Sequence, residues 1–255
     1  LPANTPAEAA SPAGMAVSHG DGSRPSRWSG DGSRPSRWSG DGWVLLRGQA
    51  DRASLAAGSG AYGGSQAGAV LRFALAPGSR LKPAAYARLT SAVGGLTDRQ
   101  LALGLSVRPM RRQPVALLAE VRVQQGSAAT QVRPALALVG GLGPRPVGAP
   151  GLGLELEGFG QAGWVGGRDA TAFFDLQGTV LHRLVRLNER SDLSLGAGAW
   201  SGGQQGAVRL DVGPRVQWRI APGGLRMRAM LDWRFRVAGS ALPGSGPVLT
   251  LAGGF

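Results

Sequence analysis

Asp211 and Asp232 are the carboxylates whose setting invites chemistry. They lie in RLDVGPRVQWR (209–219) and LRMRAMLDWRFRV (225–237), and each alternates with arginines. Two carboxylates on adjacent segments could serve as a general acid/base pair. The flanking Arg209, Arg215, Arg234 and Arg236 favour salt bridges instead. The two histidines, His19 and His182, have no serine or carboxylate at useful spacing, so a histidine-based hydrolase is not indicated. With no cysteine and two distant histidines, no metal site is expected. GLGLELEGFG (151–160) has scattered glycines but no strand-to-helix transition, so it is no nucleotide loop. No cofactor and no enzymatic activity are expected.

What remains is an array of charges. Arg72, Lys82, Arg88, Arg108, Arg122, Arg133, Arg209, Arg215, Arg219, Arg226, Arg228, Arg234 and Arg236 fall on the polar side of alternating segments. Glu120, Glu155, Glu157, Asp175, Asp211 and Asp232 fall there too. In 225–237 every odd position is apolar and every even one is charged except Met230. Period two is the mark of a β-strand, because successive side chains point to opposite faces.

The same reading along the chain gives about twelve strands, near 42–49, 64–76, 80–92, 99–108, 114–125, 130–139, 151–165, 170–184, 191–200, 207–220, 225–238 and 246–255. Turn-rich stretches separate them, such as APGS (76–79), GGRD (166–169), APGG (221–224) and PGSG (243–246). No helical pattern intervenes, so the expected class is all-β and antiparallel. In 207–220, Val208, Leu210, Val212, Val216 and Trp218 oppose Arg209, Asp211, Arg215, Gln217 and Arg219; in 114–124, Val115, Leu117, Val121 and Val123 oppose Glu120 and Arg122. In 170–184 the pattern weakens, with Phe173 and Phe174 on opposite faces. GGLGPRPVGAP (140–150) reads as an unusually long link.

Soluble strands run about five or six residues, whereas a tilted bilayer crossing needs about 9–11. These segments have the longer length. The expected architecture is an up-and-down transmembrane β-barrel, with the apolar face toward lipid and the charged face lining the lumen. Trp38, Trp43, Trp164, Trp200, Trp218 and Trp233 are expected to supply the interfacial aromatics.

The chain carries 28 Lys and Arg against 15 Asp and Glu, a net charge of +13, which points to anionic partners. Nucleic acid is not expected, because the arginines alternate with apolar residues and form no patch with stacking aromatics. Residues 1–36 form an Ala/Pro/Gly/Ser-rich tail, expected to be flexible, before a barrel at 37–255. The tail holds DGSRPSRWSG at 21–30, repeated at 31–40; the second copy runs into the first strand. No signal peptide is visible at the start, so a leader is expected to have been removed or the chain to continue a longer one. If both termini face the periplasm, 76–79 and 221–224 are periplasmic turns and 50–63 is the first extracellular loop.

The last strand, GPVLTLAGGF, alternates and ends on an aromatic. This resembles the assembly signal of bacterial outer-membrane β-barrel proteins, with Leu249, Leu251 and Phe255 carrying the match. SRWSGDGWVLLRGQ (36–49), AYGGSQAGAVLR (61–72), GQAGWVGG (160–167), LDVGP (210–214) and DWRFRVAG (232–239) are similar to a family of uncharacterised bacterial membrane proteins. The resemblance implies location in the outer membrane, contact with its lipid and lipopolysaccharide, and handling by the barrel-assembly machinery. The functional expectation is a passive channel or export pore for anionic solutes or acidic polysaccharide. Two alternatives stay open: a non-conducting anchor or autotransporter-type translocator of a longer envelope protein, and a membrane-embedded enzyme acting on lipid or surface polymer.

Overall fold

The computed structural model describes residues 36–48, 64–93, 99–110, 113–125, 130–167, 170–204, 207–241 and 243–255. The first decapeptide copy, the rest of the tail through residue 35, His19 and the 50–63 loop lie outside these residues. Twelve strands follow in order: β1 Trp38–Arg47, β2 Gln66–Ala74, β3 Ala84–Ala92, β4 Arg99–Val107, β5 Val115–Gln125, β6 Thr130–Val147, β7 Leu154–Val165, β8 Thr171–Asn188, β9 Ser191–Gln204, β10 Ala207–Ile220, β11 Arg226–Gly239 and β12 Gly246–Gly254. Each pairs antiparallel with the next in sequence, and β12 pairs with β1, so the sheet closes into a barrel.

At the closing seam Val44 faces Leu251 and Leu46 faces Leu249. Beyond β12, the Phe255 amide donates to the Gly40 carbonyl at 3.0 Å, and the Gly40 amide donates back at 3.3 Å. Ser36 and Phe255 thus lie at the same end of the barrel, here the terminal end. The turns at 76–79 and 221–224 share that end, as expected. Val93 and Arg99, Gln125 and Thr130, and Gly166 and Ala170 lie at the other, distal end, as do Ala241 and Pro243.

The 140–150 stretch is not a loop. β6 continues to Val147, pairing Arg145 with Leu156 and Pro146 with Glu155 after a register shift between Leu142 and Arg145. β5 ends opposite Gly140, so this part of β6 has a partner on one side only. Proline is tolerated on such an edge because its missing N–H is not needed there. Glycine and proline made the stretch read as a turn, but they mark a bulged strand end extending past the rim. β8 and β9 are likewise longer than the alternation implied.

The alternation itself is realised. On β11, Met227, Leu231, Trp233, Phe235 and Val237 face outward and are exposed, while Asp232 and Arg234 are buried. Met230, the apolar exception, packs inside against Trp43 and Ala252. Phe173 is buried inside the barrel, while its neighbour Phe174 faces out.

Candidate functional site: the lumen and its terminal-end cavity

The outer wall sets the surroundings of the site. Exposed leucines and valines cover it strand after strand, among them Leu103, Val121, Leu136, Val208, Leu231 and Leu251. An apolar surface of this extent far exceeds the few hundred Å² that a soluble monomer exposes. It matches the lipid-facing band of a barrel whose polar face lines the lumen. This is a membrane-spanning barrel of the outer-membrane type. Trp38 and Trp218 stand outward near the terminal end, and Trp164 and Trp233 toward the distal end. Trp38 packs on Phe73 with ring centroids 4.8 Å apart. Trp43 and Trp200, expected among the interfacial aromatics, are instead buried inside the barrel.

The inward charges gather into groups. The most buried joins β10 and β11: Arg215 donates twice to Asp232, Nε to Oδ1 at 2.6 Å and Nη2 to Oδ2 at 2.8 Å. Arg234 donates to the same Asp232 at 3.0 Å, and its guanidinium lies 4.3 Å from the Trp200 ring centre. Arg215 and Asp232 retain only 2% and 1% exposure. Asp211 belongs to a separate group, taking Arg209 at 2.6 Å and Arg47 at 3.2 Å. The two aspartates are therefore each held by arginines and do not form an acid/base pair.

Arg209 also donates to the carbonyls of Ala241, Pro243 and Gly244. Arg47 reaches Gly244, and Arg236 reaches Ala241 at 3.0 Å. Three arginines thus hold the Ala241, Pro243 and Gly244 carbonyls at the distal end. Toward the terminal end, Glu155 and Glu157 on β7 take Arg219 from β10, and Glu157 takes Arg228 from β11 at 2.7 Å. The last pair bridges elements four strands apart. Arg183 adds a contact to Glu155 at 3.0 Å.

On the other side of the lumen, Glu120 accepts from Tyr86 at 2.6 Å, Arg88 at 2.6 Å and Arg122 at 2.5 Å. Tyr86 reaches it from β3 by crossing β4 at Gly104. A Cβ there would sit 2.8 Å from the Tyr86 ring and 2.6 Å from the Ala119 carbonyl oxygen, so the contact needs glycine. Arg122 lies 5.1 Å from the centre of the Phe173 ring. Asp41 takes Arg72. Arg133 is buried and donates to the Gly166 carbonyl at 2.9 Å. Asp175 bonds the Gln161 side chain.

These groups leave a cavity of about 350 Å³ toward the terminal end, bordered by β1 to β8 and Phe255. Arg72, Arg88, Arg108, Arg122 and Lys82 border it, with Phe159 and Phe173. Lys82 lies in the β2–β3 turn and not, as expected, on the strand itself, because β3 starts at Ala84. Arg226 is inward but exposed at the terminal rim. Lys82, Arg108 and Arg226 have no carboxylate partner among the described residues.

Asp41, Arg47, Trp43, Trp200 and Arg183 are lumen residues absent from the sequence-derived set. Arg47 and Trp43 could have been found by extending the alternation of β1, where Asp41, Trp43, Leu45 and Arg47 share a face. Apolar residues on both faces hid it. His182 is exposed, with Nδ1 2.9 Å from the Leu152 carbonyl oxygen. Leu249 and Leu251 point outward, and Phe255 is exposed at the terminal rim, where it also borders the cavity.

No protein-family model matches the chain, and no curated protein matches it. Solved structures with some similarity include the KdgM porin, at 10% identity over 85% of this chain and 98% of that one, TM-score 0.41. The β domain of the Bordetella autotransporter BrkA is 12% identical over 86% and 97%, TM-score 0.42. An outer membrane channel from Pseudomonas putida F1 is 14% identical over 91% and 98%, TM-score 0.42. What places this chain in a bilayer is its own closed strand order and outward apolar belt.

Proposed function

We propose that the protein is a narrow passive channel of the bacterial outer membrane that prefers small anionic solutes, with its terminal end toward the periplasm. The observation that carries this reading is the uncompensated charge at the terminal mouth. Lys82, Arg108 and Arg226 remain without a carboxylate partner among the described residues. Unpaired bases around a low-dielectric passage raise the local concentration of anions and repel cations. The small cavity favours small solutes over acidic polysaccharide. Leu249, Leu251 and Phe255 are proposed to be the signal read by the assembly machinery.

The test is conductance of the refolded chain in a planar bilayer under a salt gradient. The expected result is a reversal potential on the anion side, shifting toward zero when Lys82, Arg108 and Arg226 are all changed to Gln. Cation preference, or indifference to the triple change, would overturn the reading. A second reading, a non-conducting envelope anchor, is favoured by the buried Arg215–Asp232–Arg234 group and the arginine-held carbonyls of Ala241, Pro243 and Gly244. Insertion with no conductance would select it.

A further inference from the structure

Six bases and two carboxylates line the terminal-end cavity. Both carboxylates are engaged within the wall, Asp41 by Arg72 and Glu120 by Tyr86, Arg88 and Arg122. Lys82 and Arg108 differ. They stand on neighbouring turns, tied together where the Arg108 amide donates to the Leu81 carbonyl at 2.7 Å. Neither has a carboxylate partner among the described residues.

Lys82 is also the one described non-glycine residue with a left-handed backbone, φ 42°. An L residue is uncommon there. At the same end, the β10–β11 turn uses Gly223 at φ 59° for the same purpose. A lysine in such a position keeps a strained backbone and places an ammonium group at the cavity mouth. Apart from the charged groups, the lining is apolar, with Val70, Leu118, Val139, Phe159 and Phe173.

We propose that this cavity binds a small organic carboxylate with an apolar body. Lys82 and Arg108 take the carboxylate at the mouth, and the apolar body lies against Phe159 and Phe173. An inorganic anion would leave the apolar lining uncovered, and a neutral molecule would leave the bases unanswered. The volume of about 350 Å³ lies at the small end of ligand pockets, which run from about 300 to 1,000 Å³. The site goes beyond the channel reading and stands whether or not the lumen conducts.

The test is calorimetric titration of the full chain, refolded in detergent micelles, with benzoate, benzamide and acetate. Benzoate is expected to bind saturably, one per barrel, with benzamide and acetate weaker by about tenfold or more. Lys82→Gln with Arg108→Gln is expected to weaken benzoate by about tenfold, with the folded barrel verified by its heat-modifiable gel mobility. Should the double variant misfold, Lys82→Gly relaxes the backbone while removing the ammonium, and it is expected to weaken benzoate binding in a stable barrel. No saturable benzoate binding, equal binding of benzamide, or unchanged affinity in a folded variant would overturn the proposal. Conductance is read separately: binding without conductance sinks the channel alone, and anion-selective conductance without binding sinks the site alone.

Discussion

Asp232 shows how much a single lumen residue carries. Arg215 grips it with two hydrogen bonds and Arg234 with another two, all of them buried. Removing one partner of a buried ion pair leaves uncompensated charge and costs about 3–5 kcal/mol. Asp232→Asn is therefore expected to lower stability by roughly that amount, measured by urea unfolding in micelles. Arg219→Gln, in a more exposed group with Glu155 and Glu157, is expected to cost about 1 kcal/mol or less. The inward direction of these residues was legible from alternation. The Arg215–Asp232 pairing follows from hairpin register, since the two stand opposite each other. The Arg228–Glu157 contact does not, because it depends on how a closed wall brings β7 and β11 face to face.

At the scale of elements, alternation located every strand where one face is apolar and the other charged. It failed where composition and pairing disagree. β6 keeps its strand through Gly140–Val147 because one-sided pairing tolerates proline and a bulge, neither of which a local pattern can reveal. Glycine has two uses in these walls. A Cβ at Gly104 would collide with the Tyr86 ring and the Ala119 carbonyl, whereas one at Gly178 would meet nothing within 4 Å. Gly104→Ala is expected to cost about 1–3 kcal/mol through overpacking and to detach Tyr86 from Glu120. Gly178→Ala is expected to be stabilising by about 0.5–1 kcal/mol. Urea midpoints of the two variants, moving in opposite directions, would show this; a common direction would sink the distinction.

For the whole molecule, closure depends on the seam where β12 and the last residue meet β1. Phe255 contributes backbone bonds with Gly40 and a ring that lies over Gly40, where a Cβ would come within 2.6 Å of it. The residue is otherwise exposed. The two roles can be separated, because Phe255→Ala keeps the backbone bonds and removes the ring. If Phe255 serves only the seam, the refolded variant should lose stability by about 1 kcal/mol or less from the small apolar area the ring buries, and assembly in cells should fall only in proportion. If it is also read during assembly, the level of barrel in the outer membrane should fall well beyond that loss. Comparing the unfolding midpoint in micelles with the heat-modifiable fraction in cell envelopes decides between them. A variant that refolds and assembles as the parent does would remove Phe255 from both roles.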